Sequence, residues 1–89
     1  MIVKFFAFVR DYTGTKETSI DGCPVLKELL LRLCDKYGKR LSEKLFIKDR
    51  LSEDIIIMVN GRHIEHLQGL DTRLEENDEI SIFPRVAGG

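Results

Sequence analysis

One segment constrains the architecture more than any other. Leu26, Leu29, Leu30, Leu33, Cys34 and Tyr37 recur at helical spacing. Asp21-Gly22-Cys23-Pro24 signals a helix start with proline at an early helical position, and Gly38 supplies the stop. Every other apolar run is short and of strand length. A helix with one apolar stripe covers one face of a sheet and leaves the other bare. The chain therefore reads as α+β, a sheet with one face on the helix and one face open. Its 89 residues allow one domain with a single modest core.

The strands follow from alternation and turn residues. Residues 2–9 are rich in aromatic and β-branched side chains and end at Asp11-Tyr12-Thr13-Gly14; residues 16–20 resume an extended pattern, giving a hairpin. Leu41 and Leu45 are spaced for a short second helix, with Phe46 and Ile47 as anchors under the following loop. Residues 55–59 form a continuous apolar run, and Asn60-Gly61 after it is the strongest short hairpin signal, with residues 62–66 as the returning strand. Gly69 to Leu74 reads as a short turn-helix connector, Glu76-Asn77-Asp78 as a turn and residues 80–83 as the last strand. Period two assigns the faces. Val3, Phe5, Ala7, Val9, Ile64, Ile80 and Ile82 go inward. Phe6, Phe8, Arg10, His63 and Phe83 go outward, an apolar patch with a cationic rim of the kind that receives a protein partner.

Composition removes several function classes. Fourteen Lys and Arg against fifteen Asp and Glu give a net charge of -1, with no basic stripe for nucleic acid. The apolar runs are too short to span a bilayer and no secretory leader pattern opens the chain, so no membrane partner and a cytoplasmic location are expected. Cys23 and Cys34 lack metal-site spacing; Cys34 falls on the apolar stripe, and Cys23 sits in a loop where it could be exposed. His63 and His66, three apart on an expected strand, would face opposite ways and could not share a metal, so no metal site is expected. No phosphate-binding glycine loop or nucleophilic triad emerges, and the acidic stretch from Asp71 to Glu79 reads as a solvated connector.

The chain closes on Val86-Ala87-Gly88-Gly89 immediately after the last apolar run. Glycine has no Cβ, so a Gly-Gly strip can thread a narrow channel. Residues 1–84 are expected to form the domain and residues 85–89 a flexible tail, reaching roughly 17 Å at about 3.4 Å per residue.

Taken in order, Val3-Lys4-Phe5-Phe6-Ala7 with Arg10, Val59-Asn60-Gly61, Leu70-Asp71-Thr72-Arg73-Leu74, Asn77-Asp78-Glu79 and Phe83-Pro84-Arg85-Val86-Ala87-Gly88-Gly89 resemble the ubiquitin-like sulfur carriers. Within them the likeness is to the small subunit of molybdopterin synthase (the MoaD-like family), over nearly the whole chain. The resemblance implies a β-grasp fold, a mixed sheet of about five strands on one main helix with a flexible Gly-Gly tail. It implies no bound cofactor and no enzymatic activity of the chain's own. An E1-like enzyme would use ATP to adenylate Gly89, sulfur would convert it to a thiocarboxylate, and the synthase large subunit would accept the tail and build the dithiolene of molybdopterin. Gly88 and Gly89 are then the reactive residues. Phe6, Phe8, Arg10, His63, Phe83, Pro84, Arg85, Val86 and Ala87 are the expected partner contacts. The same fold serves carriers for thiamine, cysteine or transfer-RNA thiolation, and protein modifiers conjugated through the terminal glycine. The family usually has a second proline where this chain has Arg85, which is expected to add flexibility and charge at the root of the tail.

Overall fold

The computed structural model describes residues 1–85. Strand β1 (Ile2–Phe5) lies beside β2 (Glu17–Ser19) and the last strand, β7 (Glu79–Pro84); β5 (Ile55–Val59) and β6 (Arg62–His63) complete the sheet, in the order β2-β1-β7-β5-β6. β1 and β7 run parallel and all other pairs antiparallel. Helix α2 (Leu26–Tyr37) covers one face, with α3 (Lys39–Leu45) following it. The mixed five-stranded sheet around one long helix is the β-grasp arrangement expected.

The core sits between helix and sheet. Leu26, Leu29, Leu30 and Leu33 of α2, Leu41 and Leu45 of α3, and Val3, Phe5, Ile57, Ile80 and Ile82 of the sheet are all essentially inaccessible. Period two holds wherever strand persists: the buried positions of β5 are Ile55, Ile57 and Val59, and those of β7 are Ile80 and Ile82. Cys34 and Tyr37 are only half-buried, packing at the rim of the core. Gly38 ends α2 with φ 94°, its N–H donating to the Cys34 carbonyl.

Several expectations are corrected. The first strand stops at Phe5, and residues 8–13 form a helix, α1 (Phe8–Thr13). Ala7 turns the chain with φ 51° and is exposed, not inward, whereas Val9 does reach the core from the helix. Val9 and Thr13, four apart, are the buried residues of α1, and Gly14 caps it in the left-handed conformation. The alternation Val3-Phe5-Ala7-Val9 imitated a longer strand because Val9 is apolar in either conformation. Pro24 lies outside α2: Val25, just before the helix, is extended and bridges Arg73, and the Pro24 carbonyl accepts from the Leu74 N–H. Cys23 is 3% exposed, a small hydrophobe in the core. Ile47 is exposed at the tip of a two-residue hairpin between β3 (Phe46–Ile47) and β4 (Arg50–Leu51), where Lys48 and Asp49 both take positive φ. The returning strand after Asn60-Gly61 ends at His63, and residues 64–66 form a 3-10 turn.

Candidate functional site: the open sheet face and the root of the tail

The bare face is built from the alternate positions of the central strands. The register pairs Lys4 with Ser81, Met58 with Ser81 and Ile56 with Phe83, so these side chains share the side opposite α2. Phe6, just past the end of β1, is held by its N–H donating to the Ile82 carbonyl at 3.1 Å. Its ring meets Phe83 edge-on, centroids 6.0 Å apart at 90°, the geometry aromatic pairs prefer. Phe6 is 39% exposed although it is a large apolar ring. Around the pair lies a shallow groove of about 460 Å³ lined by Phe6, Ala7, Met58, Gly61, Glu79, Ser81, Phe83 and Pro84. It is open and largely apolar, a surface of the kind a protein partner covers.

The Asn60-Gly61 turn is fastened to the start of β7. The Asn60 carboxamide accepts from the Glu79 N–H at 2.9 Å and donates to Asp78 at 2.8 Å, and Asp78 also accepts from the Glu75 N–H. This bonding accounts for both the Val59-Asn60-Gly61 and the Asn77-Asp78-Glu79 segments as scaffolding for the strand that carries Phe83. Thr72 braces the connector in the same way. Its hydroxyl donates to the Gly69 carbonyl and accepts from the Gln68 N–H, while its carbonyl accepts from the Leu26 N–H at the start of α2.

The expected contact residues divide. Phe6, Phe83 and Pro84 come together in the groove. Phe8 does not: it projects from α1, edge-on to Tyr12 at 6.1 Å, where Arg40 and Lys44 also lie over the Tyr12 ring. Arg10 is likewise on α1, its Nε donating to the Phe5 carbonyl at 3.3 Å. His63 lies opposite Met58 but lines a separate hollow with Glu65, Leu70 and Arg85. Its ring is 6.2 Å from that of His66, so the two histidines are neighbours and not on opposite faces, because the 3-10 turn brings His66 round. Among the described residues no group of three or more His, Cys, Asp or Glu is placed to hold a metal. Val86, Ala87, Gly88 and Gly89 lie outside the described residues. Sequence reasoning missed Ile56 and Met58. The signal was present, since a run apolar at every position from 55 to 59 furnishes both faces of its strand.

Arg85 also differs from expectation. Its backbone N–H donates to the Asp54 carbonyl at 2.7 Å and its Nε to the Glu53 carbonyl at 2.8 Å, so the root of the tail is tied down. Of the two thiols, that of Cys34 is pushed above the ordinary range, first by burial and further by the Asp35 carboxylate, with a hydrogen bond to Ser42 opposing. It is therefore protonated at neutral pH and a poor nucleophile.

A β-grasp domain with an aromatic groove beside its last strand is the architecture of a ubiquitin-like protein. The chain belongs to the ThiS family, whose model matches residues 3–89. It is 32% identical over 89 residues to small archaeal modifier protein 3 of Haloferax volcanii, an alignment covering 98% of this chain and 96% of that protein. The solution structure of small archaeal modifier protein 1 from Methanosarcina acetivorans superposes with a TM-score of 0.87 at 40% identity, covering 99% of this chain and 94% of that one. A Pyrococcus furiosus protein described as a putative molybdopterin converting factor, subunit 1, gives 0.77 at 26% identity, covering 96% and 95%. The chain is thus a ubiquitin-like protein of the sulfur-carrier and small-modifier kind. No helix of the described residues is long and apolar enough to cross a membrane.

Proposed function

We propose that this protein carries sulfur as a thiocarboxylate on Gly89 and donates it as the small subunit of a molybdopterin synthase. The observation that carries the reading is the Phe6–Phe83 groove beside the end of β7, one residue before the tail segment begins. A partner that accepts the tail must dock where the strand ends, and an exposed aromatic pair there provides the anchor. Family membership and the likeness to the Pyrococcus furiosus protein support it.

The chemistry requires activation because a carboxylate is a poor electrophile. A Gly89 carboxylate oxygen attacks the α-phosphorus of ATP and pyrophosphate leaves, forming an acyl-adenylate. Hydrosulfide, or a partner's equivalent, then attacks the acyl carbon; the C–O bond to the phosphate breaks, AMP departs, and the thiocarboxylic acid loses its proton. An E1-like enzyme supplies ATP and acid-base groups, and this chain supplies the reacting carbon and the docking surface. Gly88 and Gly89 keep the approach to that carbon free of Cβ atoms.

The test is intact-mass spectrometry of protein incubated with its activating enzyme, ATP and a sulfur source. One oxygen replaced by sulfur in the C-terminal peptide is the expected result; sulfur on Cys23 with an unaltered terminus refutes the reading. The 32% identity to a small archaeal modifier protein favours a second reading, conjugation of Gly89 to lysines of other proteins. Both uses begin with the adenylate and part after it. Lysine remnants bearing this chain's terminal glycines, in cells where the synthase remains active without the protein, would select the modifier.

A further inference from the structure

We infer that Arg85 is a positioning residue, a clip that fixes where the reactive tail leaves the sheet; its role in transfer rests on the carrier reading above. β7 reaches Pro84, which stands opposite Ile55, and the Arg85 N–H adds one more bond beyond that pair, to the Asp54 carbonyl. The side chain then folds back, its Nε donating to the Glu53 carbonyl at 2.8 Å and the far end of its guanidinium lying 4.0 Å from the Glu65 carboxylate. The anchoring loop is itself fixed. Ser52 is buried; its N–H donates to the Leu45 carbonyl at 2.7 Å, its carbonyl accepts from the Ile55 N–H, and its hydroxyl accepts from the Asp54 N–H.

A terminal strand residue held by one backbone bond frays readily. Two bonds from one residue to adjacent carbonyls, made by its main chain and its guanidinium, oppose that fraying. The exposed contact to Glu65 adds little. The consequence is geometric. Gly89 lies four residues beyond the clip, a covalent reach of about 14 Å at roughly 3.4 Å per residue. The body docks through the groove, and the clip makes the origin of the tether constant with respect to that docked body. Loss of the clip would leave docking intact and spread the carboxylate over more positions.

Two measurements test this. The first needs no partner: amide hydrogen exchange at position 85 should quicken about tenfold in Arg85→Ala, the response of a bond that opens locally, and fall between wild type and alanine in Arg85→Lys. Unchanged exchange overturns the clip. The second is steady-state adenylation by the activating enzyme. Arg85→Ala should lower kcat about tenfold, a part of the roughly hundredfold that a 1 Å misplacement can cost, and leave KM within about twofold, the pattern of an interaction acting after binding. Phe83→Ala should do the opposite, raising KM. A loss in Arg85→Ala confined to KM and erased by salt would mean that Arg85 touches the partner, and overturns the positioning role. If wild-type protein is not adenylated at all, the carrier reading fails, and the exchange measurement still decides whether the clip exists.

Discussion

Two phenylalanines adjacent in sequence have opposite roles, and mutation should separate them. Phe5 is fully buried, its ring edge-on to Tyr37 at 5.8 Å. Phe6 lies on the other side with its ring against Phe83. Phe5→Ala removes a core ring and leaves a cavity, so it should cost about 3–5 kcal/mol of stability. Phe6→Ala should leave the melting temperature within a few degrees and weaken binding to the partner enzymes proposed above by about 2 kcal/mol, roughly thirtyfold, the usual loss for a central aromatic anchor. Phe8→Ala is the control, because its ring packs by Tyr12 on α1 and away from the groove. Thermal melts and titration calorimetry on the three variants check the assignment. A Phe8→Ala loss as large as that of Phe6→Ala would mean that the partner reaches over α1 and that the groove is not the centre of the interface.

Among the elements, α1 is the one whose existence depends on a single strained residue. Ala7 combines φ 51° with ψ -132°, a region glycine occupies readily and a residue with a Cβ does not. The turn it makes lets the Val9 N–H reach the Phe6 carbonyl and the Arg10 N–H the Ala7 carbonyl, which starts the helix. Ala7→Gly should therefore stabilise the fold by about 1 kcal/mol, the relief of positive φ exceeding the added freedom of the unfolded chain. Urea titration would show a higher midpoint at unchanged slope; a lower midpoint would show that the alanine methyl is worth more to the groove than the strain removes. This element was also the least legible in the sequence. Val9 is buried whether the strand continues or a helix begins, and only a backbone turn at Ala7, invisible to alternation, distinguishes the two. The long helix was legible because four leucines at helical spacing admit no other period, and β5 because Asn60-Gly61 fixes its end. His66 was misplaced for the reason that misled at Val9: strand alternation was extended past the point where the backbone turns.

At the scale of the whole molecule, the described fold lies before the segment proposed to carry the chemistry. Every buried residue and every strand pairing among the described residues lies at or before Pro84, and Arg85 ties the end of β7 to a loop fixed by its own hydrogen bonds. Arg85, the first residue of the tail expected from the sequence, is bonded to the domain. Stability and sulfur loading should then be separable by truncation. Removing Gly88 and Gly89 should shift the melting temperature by less than about 1 °C, because the core and the strand ladder of the described residues are built from positions up to Pro84. The same deletion should abolish formation of the adenylate, since the nearest remaining carboxylate, on Ala87, is about 7 Å short of its place at roughly 3.4 Å per residue. Truncation that also removes Arg85 should differ, losing the two bonds to Glu53 and Asp54 and lowering the melting temperature by roughly 8–16 °C, at about 1 kcal/mol per hydrogen bond and about 4–8 °C per kcal/mol. Calorimetry on both truncations, with pyrophosphate release as the activity readout, checks the separation. A large loss of stability from the glycine pair alone would make the terminus a structural element and leave the sulfur-carrying role without its free carboxylate.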